Sequence, residues 1–270
     1  MPIGLLWHDQ PMKRFDRYVG FVSPPASFDI TPQQFLSLCA DPVGIVQHLS
    51  HYPGAAYDSP SAEPERRLSH LRDGIAGLRD AHAEIVLQVG GYWSMPYIGN
   101  IESARELQDE LTDEYGVTVI LNWVALADAP VEVGAKRISI AAGYYRPSWT
   151  AASVDFIATA GFDVMWSGDI IDQGLVADEA EKLEIEAATR WDYPNQIVQG
   201  ACIGAAEAAP DCDAICQIGA GMRTSYVVAE VEAQTGKPLV ATDLAAHWAV
   251  MRAAGLRSRP GFGRLLDTLA

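Results

Sequence analysis

The sequence predicts an α/β protein of two similar lobes, each a mostly parallel sheet flanked by helices. Three observations carry that expectation. Short β-branched runs alternate with longer helical patterns almost from end to end. The alternation restarts at Arg137, so two series follow one another, 17–133 and 137–241. Finally, 49% of the 270 residues are apolar and only 20% charged, enough to bury a large core.

In the first series Tyr18–Ser23 reads as a strand, Thr31–Cys39 as a helix and Gly44–Leu49 as a strand. Residues 62–83 carry Leu68, Leu71, Ile75 and Leu78 at steps of three and four, the spacing of one helical face. A buried strand follows at Glu84–Val89, then an acidic amphipathic helix at Ile101–Tyr115. Gly116 stops that helix before the strand Val117–Leu121. The second series opens with the strand Arg137–Ala142 and a helix at Val154–Ala160, and Gly161 introduces the strand Phe162–Trp166. Helices at Ala177–Arg190 and Gln196–Ala209 flank Trp191–Asn195, a segment that either shapes a cleft lid or connects the two helices. The strand Ala214–Ile218, helix Met222–Thr235, strand Pro238–Ala241 and helix Leu244–Ala254 complete the chain, the last helix being free to return to the first lobe.

Composition excludes some classes of partner. With 19 Lys and Arg against 35 Asp and Glu, the formal charge is −16, which repels phosphate backbones and anionic lipid. Residues 1–17 hold no signal-like apolar stretch, and the longest mainly apolar run, 117–127, is too short to cross a membrane. Four cysteines, Cys39, Cys202, Cys212 and Cys216, do not make a disulfide framework in a chain of this length. A soluble cytoplasmic protein is expected.

Ligands of open parallel sheets bind beyond the carboxyl ends of the strands. The first strand ends in Ser23-Pro24-Pro25, which by itself reads as a stiff turn, with the Ser23 hydroxyl available for a contact. Gly90-Gly91-Tyr92-Trp93 follows the strand 84–89; its glycines allow close backbone approach and an anion-binding nest, or simply a flexible turn. Gly143-Tyr144-Tyr145-Arg146 offers phenol donors and a guanidinium that could grip a carboxylate, against the bland reading of packed tyrosines and a solvated arginine. Gly219-Ala220-Gly221 links a strand to a helix and presents backbone donors to an anion. Thr224 stands where a dinucleotide fingerprint needs its third glycine. Cys212 and Cys216, four residues apart along a strand, are about 13 Å apart, too far to share a zinc ion. His48 and His51 read as surface or structural residues and His247 as a packed one.

Taken together, these motifs resemble the aspartate/glutamate racemase superfamily, in particular its arylmalonate decarboxylase and maleate isomerase branch. The resemblance covers about Tyr18 to Gly255 and is strongest in 210–255, where Asp211-Cys212-Asp213-Ala214 leads through the glycine turn to Gly236-Lys237-Pro238-Leu239-Val240 and Trp248. Val22-Ser23-Pro24-Pro25-Ala26 and Ala160-Gly161-Phe162-Asp163-Val164 match further stretches. It implies two pseudo-symmetric lobes, a small carboxylic acid bound in the cleft between them, no metal or organic cofactor, and compatibility with a homodimer. Family members carry out their chemistry with one or two cysteines at the strand ends, but here Gly90 and Gly219 fall at those positions and none of the four cysteines does. Gly91 and Tyr92 replace the hydroxyl pair of the first lobe, whereas Tyr144 matches the binding tyrosine.

The expected function is therefore a cofactor-independent isomerase or decarboxylase-like lyase acting on a small carboxylic acid without a cysteine. Tyr144 is the candidate catalytic group, with Tyr145 and Tyr92 as other phenols. Acting as a base would require a lowered phenol pKa. Ser23, Pro24, Gly90, Gly91, Tyr92, Tyr145, Gly219, Ala220 and Gly221 are the expected substrate contacts, and Trp93 and Trp149 could add an apolar wall. The alternatives are a non-catalytic acid-binding protein and a hydrolase using bound water.

Overall fold

The computed structural model describes residues 14–23, 29–50, 64–90, 94 and 98–270. Four parallel strands, β1 (Tyr18–Ser23), β2 (Gly44–Leu49), β3 (Ile85–Gln88) and β4 (Thr118–Leu121), form one sheet in the order β2-β1-β3-β4. The strands β5 (Arg137–Gly143), β6 (Asp163–Asp169), β7 (Ala214–Gln217) and β8 (Leu239–Ala241) form a second sheet in the order β6-β5-β7-β8, again all parallel. The second half thus repeats the topology of the first, and the α/β class with two similar lobes stands. Each order reverses direction once, between β1 and β3 and between β5 and β7. In open parallel sheets ligands bind beyond the strand ends at such a point.

The helices are α1 (Thr31–Leu38), α2 (Pro64–Asp80), α3 (Ile101–Tyr115), α4 (Asn122–Glu132), α5 (Pro147–Thr159), α6 (Glu179–Thr189), α7 (Asn195–Ala208), α8 (Val228–Thr235), α9 (Thr242–Ala254) and α10 (Gly263–Asp267). Helix α3 has the bounds its pattern predicted: Asn100 caps it by accepting from the Ser103 N–H, and left-handed Gly116 (φ 65°) ends it. Helix α4 was not anticipated. It starts directly after β4 inside the apolar run 117–127, and a continuous apolar run has no period from which a strand-to-helix boundary can be read. Helix α5 starts at Pro147 rather than Val154, because proline suits the first helical position and Arg146 before it is extended. The segment expected as one helix at 222–235 is broken into a 3₁₀ turn, Thr224–Tyr226, and α8.

Helices α4 and α9 stitch the halves together. Each follows its strand without a loop, and they pack against one another. Helix α9 also lies against β3 and β4 of the first sheet, while α4 reaches β8 of the second. Asn122 Nδ2 donates to the Thr242 carbonyl (3.3 Å), pairing the two helix starts. Helix α9 is buried on nearly every side, including His247 and Trp248, as befits a helix enclosed by both lobes. Among the described residues, no helix is long and apolar enough to cross a membrane.

Candidate functional site

The two switch points end in the same device. Gln88-Val89-Gly90 leaves β3 and Gln217-Ile218-Gly219 leaves β7, and both glycines adopt positive φ, 86° and 101°. Side chains disfavour that conformation, so glycine is the natural occupant of both turns. Each buried glutamine turns its Nε2 onto the two carbonyls that follow it. Gln88 donates to Val89 O (2.8 Å) and Gly90 O (2.6 Å), and Gln217 to Ile218 O and Gly219 O (3.3 Å).

In the second lobe, β5 delivers Tyr144 and Tyr145 beside this turn. Both are buried, and the Tyr144 hydroxyl accepts from the Gly221 N–H at 3.3 Å. Tyr144, Tyr145, Gly219, Ala220 and Gly221, expected as site residues, therefore lie together. Tyr144 stacks on Tyr193 (centroids 5.2 Å apart, planes 11° apart) and meets Trp191 and Tyr145 edge-on. Burial pushes its pKa up to about 12, outweighing the Gly221 N–H and the charge of Arg223. That is the opposite direction from the lowered pKa that base chemistry would require, and a phenol so placed stays protonated near neutrality.

The Trp191–Asn195 segment does more than connect two helices. It covers the glycine turn: Tyr193 N–H donates to Gly221 O (3.2 Å), and a Cβ on Gly221 would lie 2.0 Å from the Trp191 carbonyl oxygen. The chain gets there through two consecutive left-handed non-glycine residues, Arg190 (φ 52°) and Trp191 (φ 70°). Arg146, expected to grip a carboxylate, is engaged inside the protein, 3.5 Å from Glu186 and over the ring of Trp149 at 4.4 Å. Trp149 itself is buried edge-on against Tyr145.

In the first lobe Ser23 is buried at the end of β1. Its hydroxyl donates to Asp29 Oδ2 and accepts from Gln47 Nε2 (2.9 Å), so its proton is committed to a carboxylate of the protein. Gly90 sits at the matching strand end. Pro24, Gly91, Tyr92, Trp93 and His51 lie outside the described residues.

Two features escaped the sequence reading. The first is a buried polar network between the lobes. Arg223, just past the glycine turn, reaches Asp29 Oδ1 (3.3 Å), Thr31 Oγ1 (3.1 Å) and Gln34 Oε1 (3.4 Å); Gln34 Nε2 in turn donates to Asp243 (2.7 Å) and Ser225 (2.6 Å). Burial alone would raise the Asp29 carboxyl, but Arg223, Ser23 and Thr31 together hold it below its usual range. The second is Glu186, a buried carboxyl on α6. Burial raises its pKa to about 7 against the pull of Arg146 and Lys182. A basic residue beside a glycine turn and an acidic one at the end of a helix were visible in the sequence, but nothing local marked them as buried.

All four cysteines are buried and unpaired. Desolvation raises the thiols of Cys39, Cys202 and Cys212, and takes Cys216 to about 12. His247 is buried and held neutral, its pKa lowered to about 3 by desolvation and then by Arg223. Among the described residues no group of three His, Cys, Asp or Glu is placed to hold a metal ion. A separate surface cleft between α5 and β6 is lined by Asp155, Asp169, Asp172 and Glu179, of which Asp169 and Glu179 are paired with Lys182.

Repeated parallel sheets, with glycine exits at matching switch points, define a two-lobed α/β protein of pseudo-twofold design. The family model for arylmalonate decarboxylase matches residues 65–266, and the chain belongs to that family. It is 39% identical over 85 residues to the arylmalonate decarboxylase of Bordetella bronchiseptica, a match spanning 31% of this chain and 35% of that protein. It is 33% identical over 172 residues to the maleate isomerase of Pseudomonas putida, 62% of either chain. These matches thus span about a third and less than two thirds of the two relatives. A crystal structure of arylmalonate decarboxylase superposes with a TM-score of 0.74 at 21% identity, over 93% of this chain and 99% of that one. The maleate cis-trans isomerase of Nocardia farcinica, solved as a variant with a covalently bound succinylcysteine intermediate, gives 0.71 at 17% identity, over 94% and 99%.

Proposed function

We propose that this protein is a cofactor-independent lyase or isomerase that acts on a small carboxylic acid through an enolate or oxyanion, held by fixed donors and without a cysteine nucleophile or acid. The observation that carries this is the Tyr144 hydroxyl at 3.3 Å from the Gly221 N–H, next to the glycine turn. Because that hydroxyl accepts from Gly221, its own proton is left to point at an anion, beside the backbone N–H groups of the turn. Removing one such preorganised donor typically costs about 10²–10³ in kcat.

A decarboxylase-like step suits this set better than isomerisation. When the bond between Cα and a carboxyl group breaks, its electron pair goes to the enolate and carbon dioxide leaves, so no base is needed. The remaining requirement is a proton for the carbon; Tyr144 gives its own, and the phenolate left behind takes one back from water, leaving hydroxide that captures the released carbon dioxide as bicarbonate. Family membership supports this class of chemistry. The burial of every thiol supports a mechanism without thiolate, since a thiol with a pKa of about 12, as for Cys216, is almost wholly protonated near neutrality.

The test is proton NMR in deuterium oxide on phenylmalonate, maleate and phenylpropionate, which separates decarboxylation, isomerisation and exchange at the α-carbon. We expect turnover of at least one acid, and a Tyr144→Phe variant with kcat about 10²-fold lower and a smaller change in KM. A variant whose kcat stays within threefold of the wild type removes Tyr144 from the mechanism. Binding of these acids with no turnover replaces the enzyme by an acid-binding protein.

A further inference from the structure

The glutamines at the ends of β3 and β7 form a matched pair of buried polar groups, one in each lobe. Gln88 and Gln217 occupy equivalent places in the two sheets, are fully buried, and direct Nε2 onto the two carbonyls that follow. In both, the Oε1 is buried and without a hydrogen-bond partner among the described residues. A buried acceptor left unpaired costs about 1–3 kcal/mol, a penalty that a leucine or methionine in the same space would avoid. A cost carried twice, at the same point of both lobes, calls for a return at that point.

We infer that Gln217 is a positioning residue that aims the Ala220 N–H at the ligand's carboxylate. A trans peptide is planar, so its C=O and N–H point in opposite directions. The Gly219 carbonyl is held by two donors, Gln217 Nε2 (3.3 Å) and the Met222 N–H (3.0 Å). Pinning that oxygen turns the Ala220 N–H the opposite way. That N–H meets no acceptor among the described residues, and Ala220 is the partly exposed member of an otherwise buried turn. Gly219, at φ 101°, lacks a side chain that would fix the peptide by itself, so the restraint has to come from outside the backbone. On the far side of Ala220, the Gly221 N–H is already bound to Tyr144. Gln217 therefore sets the direction of a donor next to the phenol.

This inference rests on the carboxylate-binding reading, and its test separates the two. Binding of phenylacetate and of neutral phenylacetamide is measured by calorimetry on the wild type and Gln217→Met, and the Ala220 amide of the wild type is followed by NMR during the phenylacetate titration. The wild type should prefer phenylacetate and the Ala220 amide should be among the most shifted. Gln217→Met should lower phenylacetate affinity about tenfold, the worth of one charge-assisted hydrogen bond, and leave phenylacetamide within about twofold. A merely structural glutamine would weaken both ligands alike. If the wild type prefers phenylacetate and Gln217→Met keeps that preference, the positioning role is overturned while the carboxylate site stands. If the wild type shows no preference, the carboxylate reading falls and the inference with it. Should Gln217→Met not fold, the wild-type titration decides: an Ala220 amide that does not move overturns the inference.

Discussion

Removing Asp29 should cost this protein more than removing its partner Arg223, and the structure says by how much. Asp29 accepts from the Ser23 hydroxyl, the Thr31 N–H (3.0 Å), the Thr31 hydroxyl (2.6 Å) and Arg223 (3.3 Å). If Arg223 becomes methionine, the carboxylate keeps four donors, the Ser23 hydroxyl, both Thr31 groups and Gln47 Nε2 (3.4 Å). If Asp29 becomes alanine, the buried guanidinium keeps, among the described residues, two neutral acceptors, Thr31 Oγ1 and Gln34 Oε1, with no counter-charge on them. Stranding a buried charge costs about 3–5 kcal/mol, so Asp29→Ala should lose about 4 kcal/mol and Arg223→Met about 2. The double variant should lose less than the sum by about 2 kcal/mol, because no charge is then left alone. In a chain of this size the Asp29→Ala loss lowers the melting temperature by about 10 °C. The acid limb follows from the lowered pKa of Asp29. The network's contribution is complete above the unfolded carboxylate pKa of about 4 and is lost as pH falls through the lower folded value. Urea melts of the four proteins at pH 7, and of the wild type from pH 7 down to 3, provide the measurements. An Arg223→Met loss equal to or larger than that of Asp29→Ala, or strictly additive losses, would rule out a stranded guanidinium as the cause.

Glu186 has the opposite sign. Its pKa is raised to about 7, so ionising it in the fold opposes stability increasingly from the unfolded value near 4.3 up to 7. Glu186→Gln should therefore gain on the wild type as pH rises across that window, and a stability difference that stays flat with pH would contradict it. Gly221→Ala should lose about 3 kcal/mol or displace the 191–195 segment, because its new carbon would collide with a backbone oxygen at 2.0 Å; calorimetric melting checks this, and a loss under 1 kcal/mol would speak against the packing described. Gly219→Cys should destabilise the fold by about 1–2 kcal/mol, since a side chain there must adopt φ 101° with Tyr144 carbons at 3.1 Å. Thiol reagents should label the native protein slowly and spare its turnover. Inactivation in step with modification of any one cysteine would reinstate thiol chemistry.

The sequence alone was enough for the pieces whose cause is local. The period of Ile101–Tyr115 and its terminating Gly116 define a helix wherever they occur, and β1 and β2 have the bounds their patterns predicted. The restart at Arg137 implied a second lobe, and the glycines after β3 and β7 marked turns that favour positive φ. Fully apolar stretches gave less, as the unforeseen α4 shows, because burial on all sides erases the period. The state of the polar groups, by contrast, depends on contacts made between distant segments. Asp29 and Arg223 are 194 residues apart, and neither neighbourhood says that the other will neutralise it. Tyr144 was visible as a phenol at a strand end, but its protonation depends on Tyr193, Trp191 and Gly221 closing around it. Local rules of period and backbone angle survive in any context; charge, proton affinity and hydrogen-bond direction are set by whichever distant surfaces exclude the water.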